Sequence, residues 1–404
     1  MKYLAVVCIA VIFLHASSTA QPMSVNDETL SRNYPFVHSI LNRIQTGSSL
    51  DTFYDKLYKL KTSGSGVVSI VHIGDSHIQA DFLTSVLRNG LQDFFGDAGR
   101  GLVFPFRLAQ SNGPDDISSS SNTRWQFNRL AHPEIPVAYG ISGHGIKTNS
   151  NEPSINMSVN SGKAFFNRLT LFTDSNVVNE WAVQTENNDS SYLIKEEKSG
   201  FSVIELNKAA NSFTLTALPS DSVKEFFGVS LENSQPGVLY HSIGVNGARY
   251  DQYNNANLFW QQLPALQADL YIVSLGTNEA QFSVFAEAAF LKNISTFLGK
   301  LQQASPHAAI LITSAPDTYK ARRSNTVLRA LNRSLSAYCN KNDIPFWDLY
   351  SITNGYGSAS SWSRRGLMTR DKVHFTPEGY QLQGNLLLMA IGKGYNAYSS
   401  ILGK

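Results

Sequence analysis

The serine of Gly74-Asp75-Ser76-His77 follows directly on the apolar run at residues 67–73. A serine leaving a buried strand stands at the carboxyl edge of a sheet, where α/β folds bind ligands. If a helix begins there, its backbone N–H has no intrahelical partner and can stabilise negative charge. One residue could then act as nucleophile and as oxyanion donor, although a Ser or Asp there is also an ordinary helix N-cap. Near the other end, Asp371-Lys372-Val373-His374 precedes Thr376-Pro377, an N-cap and first-turn proline that open the last helix. A carboxylate three residues before an imidazole could hold its Nδ1–H and stabilise the imidazolium formed when Nε2 takes a proton. A surface histidine beside a helix cap is the plainer reading of that spacing. His72, His77, His144 and His241 lack such a preceding acid and read as structural, with His77 set apart only because it adjoins Ser76.

Two further loops supply what acyl transfer still needs. Gly244-Val245-Asn246-Gly247-Ala248 follows the run at 237–243, and Gly276-Thr277-Asn278-Glu279-Ala280 follows the run at 270–275. A glycine N–H and the Asn278 amide would then sit at one sheet edge, and preorganised donors of this kind are usually the largest catalytic contribution. Alone, each loop is a glycine turn with an Asn cap.

The elements that must position these residues follow an α/β grammar. Short apolar runs at 67–73, 237–243, 270–275, 309–313 and 344–347 alternate with helix patterns at about 77–95, 282–304, 322–341 and 377–393. That predicts a parallel sheet covered on both faces. Residues 104–235 break the pattern: a Ser/Asn/Asp/Gly-rich stretch leads into alternating runs such as Phe213, Leu215 and Ala217 between Ser212, Thr214 and Thr216. So long a stretch exceeds a loop, and Trp125, Phe165, Phe166, Phe172 and Trp181 argue against disorder. An inserted all-β sandwich is expected, with Trp125 and Trp181 in its core rather than stacked on sugars.

Composition narrows the classes. The 404 residues are 42% hydrophobic, and Lys+Arg 33 against Asp+Glu 31 leaves +2, so no global field favours nucleic acid or an anionic membrane. Two cysteines exclude a disulfide scaffold or a Cys-rich zinc module, and Cys339 reads as a small buried hydrophobe. Lys2, an apolar run at 3–14 and small residues at Ser18 and Ala20 read as a signal peptide over 1–20. Export across the inner membrane is the expectation, to the periplasm with the extracellular space as the alternative. No membrane-spanning segment is expected after cleavage.

Ser at the first strand, Gly at the second, Asn at the third and Asp-x-x-His before the last helix is, in that order, the four-block pattern of SGNH (GDSL-like) hydrolases. The chain resembles that superfamily over about 65–105 and 236–400. The resemblance implies a flavodoxin-like three-layer α/β/α domain, with Ser76 as nucleophile, His374 as base and Asp371 orienting it. The oxyanion hole would comprise the Ser76 and Gly247 N–H groups and the Asn278 side chain, with Gly244 the competing glycine. Gly74-Asp75-Ser76-His77-Ile78-Gln79-Ala80-Asp81-Phe82, Phe95-Gly96-Asp97-Ala98-Gly99-Arg100-Gly101, Gly247-Ala248 and Asn278-Glu279 (most members have Asn-Asp) narrow the likeness to Gram-negative peptidoglycan O-acetylesterases. Those enzymes also carry a carbohydrate-binding-module-like sandwich between the first two blocks.

The organisation expected is 1–20 signal peptide, 21–103 N-terminal segment and first hydrolase part, 104–235 sandwich, and 236–404 second hydrolase part. What the resemblance implies is removal of O-acetyl groups from muramic acid of peptidoglycan, without metal or cofactor. The same machinery would serve acetylated xylan, pectin or sialic acid, or transfer acetate to a sugar hydroxyl; a glycan-binding protein on the same scaffold is the remaining class. Trp362, Arg364 and Arg365, with Arg370 and Lys372, crowd the approach to Asp371 and His374 and could hold a sugar face and carboxylates. A solvated loop around one buried Trp is the alternative.

Overall fold

The computed structural model describes residues 22–45, 50–160, 165–173, 181–186, 188–194 and 200–402. The expected signal segment, residues 1–20, lies outside them. The five apolar runs form one parallel sheet: β1 (Val67–Gly74), β2 (Gly237–Gly244), β3 (Leu270–Ser274), β4 (Ala309–Thr313) and β5 (Phe346–Trp347). Their spatial order is β2-β1-β3-β4-β5. With β1 between β2 and β3, the chain switches direction across the sheet there, which opens a crevice at the carboxyl ends. The register sets Gly74 opposite both Gly244 and Ser274, so the loops leaving the three strands emerge at one level.

Alternation along β1 shows why the sheet is covered twice. Val68 and Ile70 pack with Leu57, Leu87, Leu91, Leu386 and Ile391 from helices Asp51–Ser63, Thr84–Phe95 and Pro377–Leu402. Val71 and Ile73 point the other way, into a cluster with Ile294, Phe297, Leu328, Leu331 and Leu335 from helices Glu287–Ala304 and Thr326–Lys341. Each such side chain contributes about 1.5–3 kcal/mol when fully buried. The result is a three-layer α/β/α domain. Its last helix continues to Leu402, beyond the end expected near residue 393, because Tyr395 is still completely buried against it.

The helix pattern at 77–95 is broken into Ser76–Gln79 and Thr84–Phe95. Between them Asp81 takes φ 64°, a left-handed conformation. Its buried carboxylate accepts two bonds from Arg88 (3.0 and 2.7 Å), one from Arg100 (2.7 Å) and one from Thr84. Burial alone would raise the Asp81 pKa, but the two guanidiniums hold it at about 2. Arg100 also reaches Asp116 at 2.5 and 2.8 Å, so the network ties the turn after Ser76 to the chain entering the β-rich part.

That part is a sandwich of two antiparallel sheets. One contains Phe201–Ala210, Phe166–Thr173, Lys224–Glu232, His144–Thr148 and Gln126–Arg129 in that order; the other runs Ile117–Ser121, Ser154–Val159, Ser212–Ala217, Trp181–Thr185 and Asn188–Ile194. Ile155, Met157, Phe166, Leu169, Phe213, Leu215 and Val229 fill the space between them, with Trp125 and Trp181 buried there as expected. One strand changes allegiance. Gly99–Val103, expected before the insert, pairs with Lys224–Glu232 in the first sandwich sheet. It lies across β2 so closely that a Cβ on Gly101 would sit 2.2 Å from the Tyr240 carbonyl oxygen. Sandwich and parallel sheet are therefore joined through backbone contact.

Candidate active site

β1 ends at Gly74, and Asp75 caps the helix Ser76–Gln79 by accepting from His77 N at 3.0 Å. Ser76 thus occupies the first helical position. Its Oγ lies 3.0 Å from His374 Nε2, and His374 Nδ1 lies 2.8 Å from Asp371 Oδ2. The other Asp371 oxygen accepts from Thr369 Oγ1 (2.6 Å), Val373 N (2.8 Å) and His374 N (3.0 Å). Burial would push this carboxyl upward, but the bonds from His374, Thr369 and the two amides outweigh it and keep its pKa well below the carboxylate range. The arrangement gives a hydroxyl, an imidazole nitrogen facing it and a permanent carboxylate behind, the geometry of general-base activation.

The Ser76 and Gly247 N–H groups have no acceptor among the described residues. Gly247 has φ 85°, a left-handed conformation that favours glycine. Gly244, the competing glycine, is used for packing: a Cβ there would lie 2.2 Å from Gln79 N. The Asn278 amide is held by Ala248 O at 3.0 Å and makes a longer 3.4 Å contact with Asp75 Oδ2. One amide hydrogen is anchored, and the other is weakly engaged at the rim of the crevice.

His77 and Cys339 take the structural roles expected of them, while Trp362, Arg364 and Arg365 make contacts of their own. His77 is buried, its Nδ1 3.0 Å from Tyr380 Oη, and burial followed by the neighbouring His374 lowers its pKa to about 3. It is a neutral packing residue beneath Ser76. Trp362 is 1% exposed and packs edge-on against Phe36 and Phe375, so it cannot be a sugar platform. Arg365 lies over the Phe36 ring at 4.3 Å and bonds Ser361, while Arg364 bonds Ser360. These contacts lie within or next to the helix Ser358–Arg364. Cys339 is buried, which raises its thiol to about 12.

Three positioning residues escaped the sequence reading. Gln79 accepts from Asn246 N at 2.7 Å and donates to Ser111 Oγ (2.9 Å) and Asn112 O (2.7 Å), fixing the Gly247 loop against the chain entering the sandwich. Thr369 orients Asp371, two residues away. Glu279 accepts from Tyr250 N at 2.8 Å. Burial raises Asp75 and Glu279 each to about 7, partly offset by the amide bonds from His77 and Tyr250 respectively. For Gln79 the only sequence signal was its place in the Ser76 block.

A β2-β1-β3-β4-β5 sheet with this hydroxyl–imidazole–carboxylate chain at its carboxyl edge resembles the SGNH-type, or GDSL-like, carboxylic ester hydrolases. Residues 212–382 match the GDSL-like Lipase/Acylhydrolase family, a span that includes Gly247, Asn278, Asp371 and His374 while Ser76 lies upstream of the inserted strands. A solved peptidoglycan O-acetylesterase superposes with TM-score 0.75 at 23% identity, covering 88% of this chain and 99% of its own. Two other structures are less alike. A lipase/acylhydrolase from Enterococcus faecalis has 19% identity and TM-score 0.32, covering 39% of this chain and 77% of its own. A family two carbohydrate esterase from Cellvibrio japonicus has 12% identity and TM-score 0.29, covering 69% and 99%. No curated protein sequence matches the chain.

Proposed function

We propose that the protein removes O-acetyl groups from a glycan, peptidoglycan being the expected polymer, through an acetyl-enzyme on Ser76. The observation that carries this reading is the unbroken chain Ser76 Oγ–His374 Nε2 (3.0 Å) and His374 Nδ1–Asp371 (2.8 Å) beside two unpaired N–H groups. Ser76 Oγ attacks the acetyl carbonyl carbon as Nε2 takes its proton. The oxyanion is received by the Ser76 and Gly247 N–H groups, with the Asn278 amide hydrogen held only weakly by Asp75 as third donor. Collapse breaks the ester C–O bond, and imidazolium returns the proton to the departing sugar oxygen. Water, deprotonated by the same nitrogen, then attacks the acetyl-enzyme and releases acetate and free Ser76.

The site favours a polymer by its openness: the His374 and Asp371 side chains are 42% and 50% exposed. An acetyl group needs little pocket, whereas a glycan strand needs access from the side. The matched peptidoglycan O-acetylesterase supports the choice of polymer. Export follows from the N-terminal segment, with the periplasm as the expected address and Gln21 as the expected mature terminus.

The test is acetate release from O-acetylated peptidoglycan, xylan, pectin and sialic acid by wild type and Ser76→Ala. Release greatest from peptidoglycan, and abolished in the folded variant, is expected. Release undiminished in Ser76→Ala would remove the nucleophile assignment, and a preference for another glycan would remove peptidoglycan.

A further inference from the structure

Beside the catalytic loop stands a small hairpin in which Tyr319 pairs with Ser324 and Lys320 with Arg323. Its two turn residues, Ala321 and Arg322, have φ 47° and 64°. Left-handed backbone at both turn positions fits the twist of a two-residue hairpin and is normally supplied by Asn-Gly. Ala and Arg there are strained, so the hairpin is held by its surroundings and keeps Arg322 at the tip. Tyr319 N donates to Lys372 O at 2.8 Å, and Lys372 Nζ lies 4.5 Å from the centre of the Tyr319 ring. On its other side Lys320 Nζ donates to the Phe282 carbonyl, and Gln281 Nε2 to Tyr319 O at 3.3 Å. Phe282 is 52% exposed beneath the Arg249 guanidinium, 5.1 Å from its ring centre. Hairpin, catalytic loop and the loop after Asn278 thus form one continuous lip.

The charge of the hairpin and catalytic loop is one-sided. Lys320, Arg322, Arg323, Arg370 and Lys372 lie in the hairpin and catalytic loop, and among the described residues none of the five is in an ion pair. The only carboxylate in those two segments, Asp371, is committed to His374. The chain as a whole carries only +2. Lys372 is two residues from His374 in the catalytic loop, and charges act over roughly 8 Å in physiological salt. A neutral glycan would gain nothing from such a field, whereas one bearing carboxylates would be attracted and oriented by it.

We infer that this lip is a carboxylate-binding subsite, and that the substrate is an acidic O-acetylated glycan rather than a neutral one. The inference rests on the proposed esterase function and names its substrate class. It assigns recognition to the hairpin and to Arg370 and Lys372, in place of Trp362, Arg364 and Arg365.

The test measures kcat and KM on O-acetylated peptidoglycan before and after its carboxylates are amidated with a carbodiimide and an amine. For wild type, amidation should raise KM roughly tenfold with kcat little changed, and added salt should do the same. Arg322→Gln/Arg323→Gln, checked for an unchanged unfolding midpoint, should show a higher KM on native polymer and a smaller further rise on amidation than wild type. A wild-type KM indifferent to amidation would overturn the proposal without any variant, and so would an equal loss by the double variant on both polymers. If peptidoglycan releases no acetate, O-acetylated pectin and acetylated xylan provide the anionic and neutral arms. Failure of the esterase reading is recognised separately, by acetate release that survives Ser76→Ala.

Discussion

Replacing Asp371 by Asn changes one atom and should disable the site through tautomer choice. Oδ1 of Asp371 accepts from Thr369 Oγ1, Val373 N and His374 N, so an amide in its place keeps its oxygen toward those three donors. Its NH2 then faces His374 Nδ1, at the position where the carboxylate stood 2.8 Å away. Two donors cannot meet there, so the ring proton moves to Nε2, which must donate to Ser76 Oγ instead of accepting from it. Flipping the amide to restore the active tautomer would sacrifice three bonds of about 0.5–1.5 kcal/mol each, or about 2–4 kcal/mol in all. Loss of the negative charge behind the imidazolium adds to this. Together they predict a fall of about 10³–10⁴ in kcat, equivalent to about 4–5.5 kcal/mol, the scale expected for a triad Asp-to-Asn change. The assay is steady-state hydrolysis of an aryl acetate, with unfolding followed by circular dichroism. A folded Asp371→Asn enzyme with kcat within tenfold of wild type would refute the reasoning.

Other consequences are equally direct. Gly244→Ala forces a Cβ to within 2.2 Å of Gln79 N, which only a backbone shift relieves; a loss of about 3 kcal/mol in denaturant unfolding is expected, with activity lost as well. Gly247→Ala meets only ordinary contact, 3.6 Å from Ala131 Cβ, so its cost should be the roughly 1–2 kcal/mol of left-handed backbone at φ 85°. Gln79→Ala frees the Gly247 loop and should lower kcat by about 10- to 100-fold, with KM nearly constant, since it acts on an oxyanion donor through its position. Asp75 and Glu279 are raised from ordinary values of 3.8 and 4.5 to about 7 in the folded protein. Between roughly pH 4 and 7 the folded state therefore binds more protons than the unfolded one, and stability should fall as pH rises through that window. Asp75→Asn and Glu279→Gln should each flatten the decline in melting temperature from pH 5 to 8; slopes identical to wild type would contradict the assignment.

The parallel sheet and the Ser76, Asp371 and His374 constellation were readable because both rest on local signals. Short β-branched runs make buried strands, and each reactive residue sits at the end of one or just before a capped helix. What could not be read depends on partners distant in sequence. The break at Asp81 needs Arg88 and Arg100 to hold its carboxylate, and nothing in a helical period announces that. Gly99–Val103 looks like the end of the hydrolase segment until its pairing with Lys224–Glu232 is known. Trp362 stands beside a basic cluster in sequence, yet the helix carrying it points the ring between Phe36 and Phe375. The cationic lip likewise joins residues 319–324 to 370–372 through a contact that linear spacing does not reveal.

The proposed catalysis requires Ser76 to be acylated, and covalent labelling tests that most directly. The protein is treated with a fluorophosphonate that reacts with activated serines, digested and mapped by mass spectrometry, alongside Ser76→Ala. A single adduct on the peptide containing Ser76, formed in step with loss of acetate release and absent from the variant, is the predicted result. Labelling at another serine that tracks the loss of activity, or an unlabelled Ser76 in fully inhibited enzyme, would contradict it.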